Sequence, residues 1–345
     1  MSAETFRSAR RSIAFLALAG LIAVGVALLV GKAAGYANLL DTFRRASPLW
    51  LLVCLTGELL AYIGYVFAFR GTARARGGLN IDLPTSAAVV FASLGATRLL
   101  AAGGAGGLAL DYWALRRGGT ARHESIFRVL ALNTLLYAFF GALAWAAALV
   151  LVLGGREVPL GMTLPWLVAI PALFLAAAYV SSPTRSGWGA RPDRGRLRTA
   201  LADAEQGVVL ARAIASRPRS HGTTVAGALA YWIGDIACLW AGLQAFGADV
   251  PLAAVVLGYA TGYVATLLPL PTGGVGGVDA AMTFALVAAG VPLTTALLGV
   301  FAYRLFSFWL PTLPGLAVLP ALPRLGRRLD ELAKGTSPRP PAVAR

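Results

Sequence analysis

Gly103-Gly104-Ala105-Gly106-Gly107 and Gly273-Gly274-Val275-Gly276-Gly277 decide how this chain is read. The Gly-Gly-x-Gly-Gly pattern occurs twice, 170 residues apart, and each copy interrupts a long apolar stretch near its middle. With 40 Gly among 345 residues, composition alone makes two copies improbable, which points to an internal repeat. Glycine-broken hydrophobic segments at matching positions of two halves are the sequence mark of a transporter's binding site.

The surroundings of the glycines set the class. Hydrophobic residues make up 58% of the chain and charged ones 13%, with a mean hydropathy of +0.71. An ordinary soluble domain carries about 25% charged residues, so the composition reads as a polytopic helical membrane protein. The net charge of +15 does not indicate nucleic acid, because the basic residues lie in loops between apolar spans. His123 and His221 are the only histidines, and Cys54 and Cys238 the only cysteines. None has metal-ligand spacing, so neither metal nor cofactor is expected, and the cysteines read as small packing residues. The glycine pattern lacks the Gly-Lys-Ser/Thr that holds nucleotide phosphates, which argues against direct use of ATP.

The apolar segments are 13–31, 48–69, 84–102, 105–115, 125–153, 162–181, 222–246, 251–271, 277–289 and 293–320. Most can cross about 30 Å of hydrocarbon at 1.5 Å per residue. Segments 105–115 and 277–289 are short, and each follows a glycine break. We therefore expect 84–115 and 251–289 to be re-entrant hairpins, each entering and leaving on one side. Arg7, Arg10 and Arg11 precede an apolar run longer than a signal-peptide core, so 13–31 reads as a retained span.

With the N-terminus in the cytoplasm, the cytoplasmic segments hold 24 of the 30 Lys and Arg and the outer ones hold four. That split supports a bacterial inner membrane protein with both termini inside. Full crossing of each hairpin by two helices leaves the loop sides unchanged, so charge does not separate the two arrangements.

The repeat extends beyond the glycines. Ala61-Tyr62-Ile63-Gly64 resembles Ala230-Tyr231-Trp232-Ile233-Gly234, and a span–hairpin–span order occurs twice with opposite starting sides. The expected fold is an all-α polytopic transmembrane bundle with an inverted repeat and two re-entrant helical hairpins. Its parts are an N-terminal span and loop (1–47), a first repeat (48–153), a connecting span and basic cytoplasmic loop (154–221), a second repeat (222–320) and a basic tail (321–345). Loop 182–221 reads either as a surface helix touching anionic lipid or, preferably, as a solvated connector. The Pro-rich tail after Pro323 is expected to be disordered, and Pro311 and Pro314 to kink the last helix.

Five ionisable residues fall near mid-depth: Glu58, Arg98, Asp235, Asp279 and Arg304. Such groups are expensive in a bilayer and are functional or paired. One reading is a polar cavity between the repeats. There the arginines would hold a lipid phosphate, and the helices beginning after Gly107 and Gly277 would offer unpaired N–H groups to an anion. Gly103, Gly104, Gly106, Gly107, Gly273, Gly274, Gly276 and Gly277 would allow close approach of the backbone. The other reading is internal ion pairing, such as Asp279 with Arg304, that fixes hairpin packing. Asp111, at the end of the first hairpin, is a weaker candidate.

Pro271-Thr272-Gly273-Gly274-Val275-Gly276-Gly277-Val278-Asp279, then Gly290-Val291, Tyr303-Arg304, Trp309-Leu310-Pro311 and Gly315, resemble the lysylphosphatidylglycerol synthase transmembrane-region family. That family is the flippase-like membrane half of the multiple peptide resistance factor. Asp279 stands where its pattern has Glu, and Gly103 to Arg117 resembles the first half more weakly. The resemblance covers about residues 10–325 and implies a membrane protein that handles modified lipids. The soluble aminoacyl-transferase domain of the full factor is not expected here.

The expected function is flippase-like transport of an anionic or zwitterionic, possibly modified, lipid headgroup, with a phospholipid or lipid-linked substrate as partner. The alternative is a non-transporting subunit that presents lipid to a separate glycosyl- or aminoacyl-transferase. A membrane-embedded enzyme is the least supported reading, since no nucleophile, metal or nucleotide motif accompanies Glu58, Asp235 and Asp279.

Overall fold

The computed structural model describes residues 44–99, 105–155, 158–182, 196–267 and 276–336. The expected span 13–31 lies outside these residues, as do Gly103, Gly104, Gly273 and Gly274. Every described element is helical. The helices are α1 (Pro48–Arg74), α2 (Leu83–Leu99), α3 (Ala105–Arg117), α4 (Arg122–Leu153), α5 (Leu160–Val180) and α6 (Arg196–Ala215). They continue with α7 (Pro218–Ala245), α8 (Leu252–Tyr263), α9 (Gly277–Ala288), α10 (Leu293–Arg304), α11 (Leu310–Val318) and α12 (Leu322–Thr336). Among the described residues five stretches are long and apolar enough to cross a membrane: Pro48–Gly77, Arg122–Leu153, Leu160–Val180, Pro218–Ala245 and Leu293–Gly315. The chain is a multi-pass, all-α membrane protein.

The centre of the fold is the antiparallel pair α1–α7. Gly57, Gly64 and Gly71 recur every seven residues and so share one face of α1. They meet α7 so closely that a Cβ at Gly57 would lie 2.8 Å from the Gly234 carbonyl oxygen, and one at Gly64 would lie 2.5 Å from that of Gly227. At Gly71 it would lie 1.8 Å from Thr224 Oγ1. Lipid tails are as apolar as Leu, so helices in a bilayer gain by close backbone packing, and small residues make it possible. The amide of Ser47 donates to the Ala245 carbonyl (2.9 Å), tying the start of one helix to the end of the other.

These contacts carry the 170-residue offset of the sequence. Gly57 and Gly64 correspond to Gly227 and Gly234, and the pairs 57–234 and 64–227 exchange into one another under it. Tyr62 and Trp232 correspond too. The Tyr62 hydroxyl donates to the Ser307 carbonyl (2.9 Å), and Trp232 Nε1 donates to the Leu136 carbonyl (2.7 Å). The hairpins follow the same exchange. α2 packs on α3 and on α11, where Gly95 meets Gly315, while α8 packs on α9 and on α4.

α1 ends where Arg76 takes a left-handed conformation (φ 51°) and Gly77 follows at φ 75°. Its last carbonyls are collected by Arg128 Nη1, which donates to Thr72 (3.0 Å), Ala73 (3.1 Å) and Ala75 (2.8 Å). Arg128, one of the loop charges in the topology count, is thus a buried cap held in turn by Glu124.

Two segments differ from the sequence reading, and a third adds detail to it. The loop 182–221 is not a plain connector: it contains α6, whose Leu210, Ala211 and Ile214 are buried in the core and whose Gly207 lies against Leu130 of α4. The tail after Pro323 forms α12, whose Leu325 and Leu329 are buried. Asp330 of α12 accepts two hydrogen bonds from Arg117 (2.8 and 3.0 Å), which hold its carboxyl below the usual range. The segment 293–320 is helical with a break ahead of Pro311, where a kink is expected. A π-helical turn, Leu305–Trp309, separates α10 from α11. Pro311 lacks the N–H that would bond to the Ser307 carbonyl, and Tyr62 supplies the missing donor.

Gly64→Val should therefore lower the thermal midpoint sharply or abolish folding in detergent, since overpacking a close-packed site costs about 1–3 kcal/mol or more. Gly161→Ala, where an added Cβ meets nothing within 4 Å, should melt like the wild type. Equal midpoints for both variants would remove the seam from the account of stability.

Candidate functional site

The glycine tips place the site. Gly276 has φ 85°, a conformation open to glycine and strained for other residues, and α9 begins at the next residue. Asp279 in the first turn of α9 accepts the Gly276 amide at Oδ2 (3.0 Å). Its other oxygen, Oδ1, accepts from Arg304 Nε. One buried carboxylate thus fixes the tip and joins it to the end of α10. The Arg304 guanidinium also lies over the rings of Tyr303 (5.9 Å) and Phe308 (5.8 Å). Its Nη2 is buried with no hydrogen-bond partner among the described residues.

Beside this pair the seam brings two further acids together. Glu58 follows Gly57 in α1 and Asp235 follows Gly234 in α7, so the closest helix approach sets them face to face. Both are buried, and Glu58 lies within hydrogen-bonding reach of Asp235. Asp235 Oδ2 accepts from the Tyr259 hydroxyl and from that of Tyr303 (3.3 Å). Since Tyr303 adjoins Arg304, the acids of the seam and the ion pair at the tip form one connected cluster. Nearby, Cys54 and Cys238 are buried and reduced, and the Cys54 thiol donates to the Cys238 carbonyl (3.3 Å).

The first hairpin is built differently. α3 begins at Ala105, ahead of the expected start after Gly107, so Gly106 and Gly107 lie inside its first turn and are buried. A Cβ at Gly107 would lie 2.4 Å from Thr97 Oγ1, so this glycine serves the packing of α3 on α2. Arg98 lies in the last full turn of α2, and its side chain is outside the described residues. Asp111 Oδ1 accepts from Ser93 Oγ (2.6 Å), while Oδ2 is buried without a hydrogen-bond partner among the described residues.

Between the halves lies a cavity of about 360 Å³. Its aromatic wall is Tyr65 of α1, Tyr137 of α4, Tyr231 and Trp232 of α7, and Tyr263 of α8. Ser93, Thr97 and Asn133 supply polar edges, and Gly107 opens onto it. Among the described residues no Lys or Arg lines it. Behind Ser93 and Tyr65 of this lining lies the buried carboxyl of Asp111.

Of the residues singled out in the sequence, Glu58, Asp235, Asp279 and Arg304 come together, with Gly276 and Gly277 at their edge. Gly107 adjoins the cavity instead, and Gly106 is buried in the first turn of α3. Sequence reasoning missed the aromatic wall and Tyr259, because aromatic residues in an apolar helix have the same spacing whether they pack or line a cavity. The only available signal was Tyr259 and Tyr263 one helical turn apart.

A family model described as the lysylphosphatidylglycerol synthase TM region matches residues 16–315. The chain belongs to this family. The match runs from before α1 to the middle of α11, so it contains both glycine tips, the acid cluster and the cavity. No curated protein matches the chain.

Breaking a buried ion pair by removing one partner typically costs about 3–5 kcal/mol, because the other charge is left uncompensated. Asp279→Asn and Arg304→Gln should each destabilise the protein by that order, and the double variant by clearly less than their sum. Additive losses in a double-mutant cycle of thermal midpoints would mean that the pair does not act as a unit.

Proposed function

We propose that this protein, a membrane protein of a lipid-handling family, moves a lipid headgroup across the bilayer through the cavity between its two halves. The observation that carries the proposal is the cavity's lining. Aromatic faces attract a cation by about 0.5–2 kcal/mol each, more as water is excluded. Asp111 adds a buried carboxyl behind Ser93. An amine-bearing or zwitterionic headgroup fits this wall, with its phosphate toward the start of α3, where helix amides are unpaired. A lysylated headgroup, the kind the family's description names, carries such amines.

The exchange of contacts under the 170-residue offset supports an inverted repeat, in which two similar halves rock about the α1–α7 seam. The short arms support re-entrant hairpins: α3 has 13 residues and α9 has 12, which span roughly 20 Å at 1.5 Å per residue. In this reading the protein sits in the inner membrane with its basic loops and termini in the cytoplasm.

The experiment is lipid translocation in proteoliposomes with acyl-labelled lipids. The wild type should move an ethanolamine lipid at least tenfold faster than its glycerol counterpart, since 1.4 kcal/mol is tenfold. Asp111→Asn and Tyr137→Leu should shrink that preference; Tyr137 is half exposed and tolerant of change. Saturable binding of the amine lipid without movement would contradict transport and favour a subunit that presents lipid to a separate transferase.

A further inference from the structure

We infer that the cluster of Glu58, Asp235, Asp279 and Arg304 is a proton-coupling site, so that lipid movement proceeds with release and uptake of one proton. This rests on the transport reading above. It concerns the energy source, which the cavity does not address.

The first argument is hydrogen-bond chemistry. Asp279 accepts from Arg304 Nε and from the Gly276 amide, so it acts as an ionised carboxylate. Asp235 accepts from two tyrosine hydroxyls at Oδ2. A hydrogen bond between Glu58 and Asp235 at the closest point of the seam needs a proton on one of the two, since a pair of ionised carboxylates has no donor. We place it on Glu58, because the tyrosine hydroxyls already stabilise a negative charge on Asp235. The second argument is charge. Among the described residues three buried carboxyls face one guanidinium, and a proton on Glu58 leaves two negative charges against one positive. Without that proton two like charges would meet where the helices have no room for water, since an added Cβ at Gly57 would lie 2.8 Å from the Gly234 oxygen.

The groups around Glu58 come from several helices. Asp235 and Cys238 face it from α7 and Tyr303 from α10, while Arg304 of α10 acts on Asp235. Tyr259 of α8 and Asp279 of α9 reach it through Asp235 and Arg304. Cys54 and Tyr62 lie on its own helix.

The step itself is simple. The Glu58 O–H bond breaks, its electron pair stays on the carboxylate, and the proton passes to water admitted as the seam parts. The new negative charge repels Asp235 and attracts the unpartnered Nη2 of Arg304. Arg304 is thereby drawn from Asp279, the residue that holds the Gly276 amide at the tip. Loss of a proton in the seam thus loosens the glycine tip, and its return resets the tip.

Two measurements test this. In detergent at neutral pH, infrared spectroscopy of the purified wild type should show the carbonyl stretch of a buried protonated carboxyl, shifted in deuterium oxide. Glu58→Gln should remove it. If that variant does not fold, Asp235→Asn should remove it by freeing Glu58 to ionise. A wild type without the band, or a band unchanged in the folded variant, overturns the inference. In proteoliposomes, coupling of one proton per lipid should shift the leaflet ratio of the transported lipid about tenfold per unit of pH gradient, one pKa unit being 1.36 kcal/mol. Brisk movement with a ratio indifferent to the gradient overturns coupling and leaves transport standing. No movement by the wild type overturns transport, and coupling with it.

Discussion

Backbone contact between α1 and α7 is the constraint on which the rest depends. Gly57 against Gly234 and Gly64 against Gly227 bring two antiparallel helices closer than any side chain allows. That closeness sets Glu58 opposite Asp235. It also aims Tyr62 and Trp232 outward, in opposite senses, at carbonyls of the long helices that close each half. In a bilayer little hydrophobic force draws helices together, so a glycine seam supplies packing where Leu would add nothing over lipid. Edge-to-face pairs across the same interface, Trp50 with Trp240 and Tyr65 with Tyr231, flank the glycine contacts.

Chemistry and movement meet at the second glycine tip. Asp279 is bonded both to the backbone at Gly276 and to Arg304. A change in Arg304's electrostatic surroundings is therefore felt where the chain turns. The first tip has no such ion pair among the described residues; its α3 is fixed by Gly107 against Thr97 and by Asp111 on Ser93. The halves thus share a framework but divide the work. One side adjoins an aromatic cavity with a single acid, and the other carries the ion pair beside the acids of the seam.

Much of this was legible in the sequence, for physical reasons. Apolar length and glycine punctuation mark spans and breaks directly, so the helices appear where hydropathy places them. Ionisable residues inside spans stand out because a bilayer tolerates them only with partners, and four of the five expected ones form a single cluster. The aromatic wall was not legible, since Tyr65, Tyr137, Tyr231 and Tyr263 come from four different helices. α6 was misread because its polar face dominates its composition, while Leu210, Ala211 and Ile214 form a short apolar patch within a basic loop. α12 was misread because Pro and Arg suggested disorder, although Leu325 and Leu329, four residues apart, are enough to dock one face. The break before Pro311 was foreseen, but its compensation by Tyr62 depends on a contact between residues 245 positions apart.

The central claim is that two similar halves lie in opposite senses in the membrane, and cysteine accessibility tests it most directly. The native Cys54 and Cys238 are buried, so they should give little background. Ala121→Cys, exposed after the first hairpin, and Ala288→Cys, exposed at the end of the second, report on corresponding turns. A membrane-impermeant maleimide applied to sealed, oriented vesicles should label position 121 from the cytoplasmic face only and position 288 from the opposite face only. Labelling of both from the same face would contradict the inverted arrangement and the transport reading built on it.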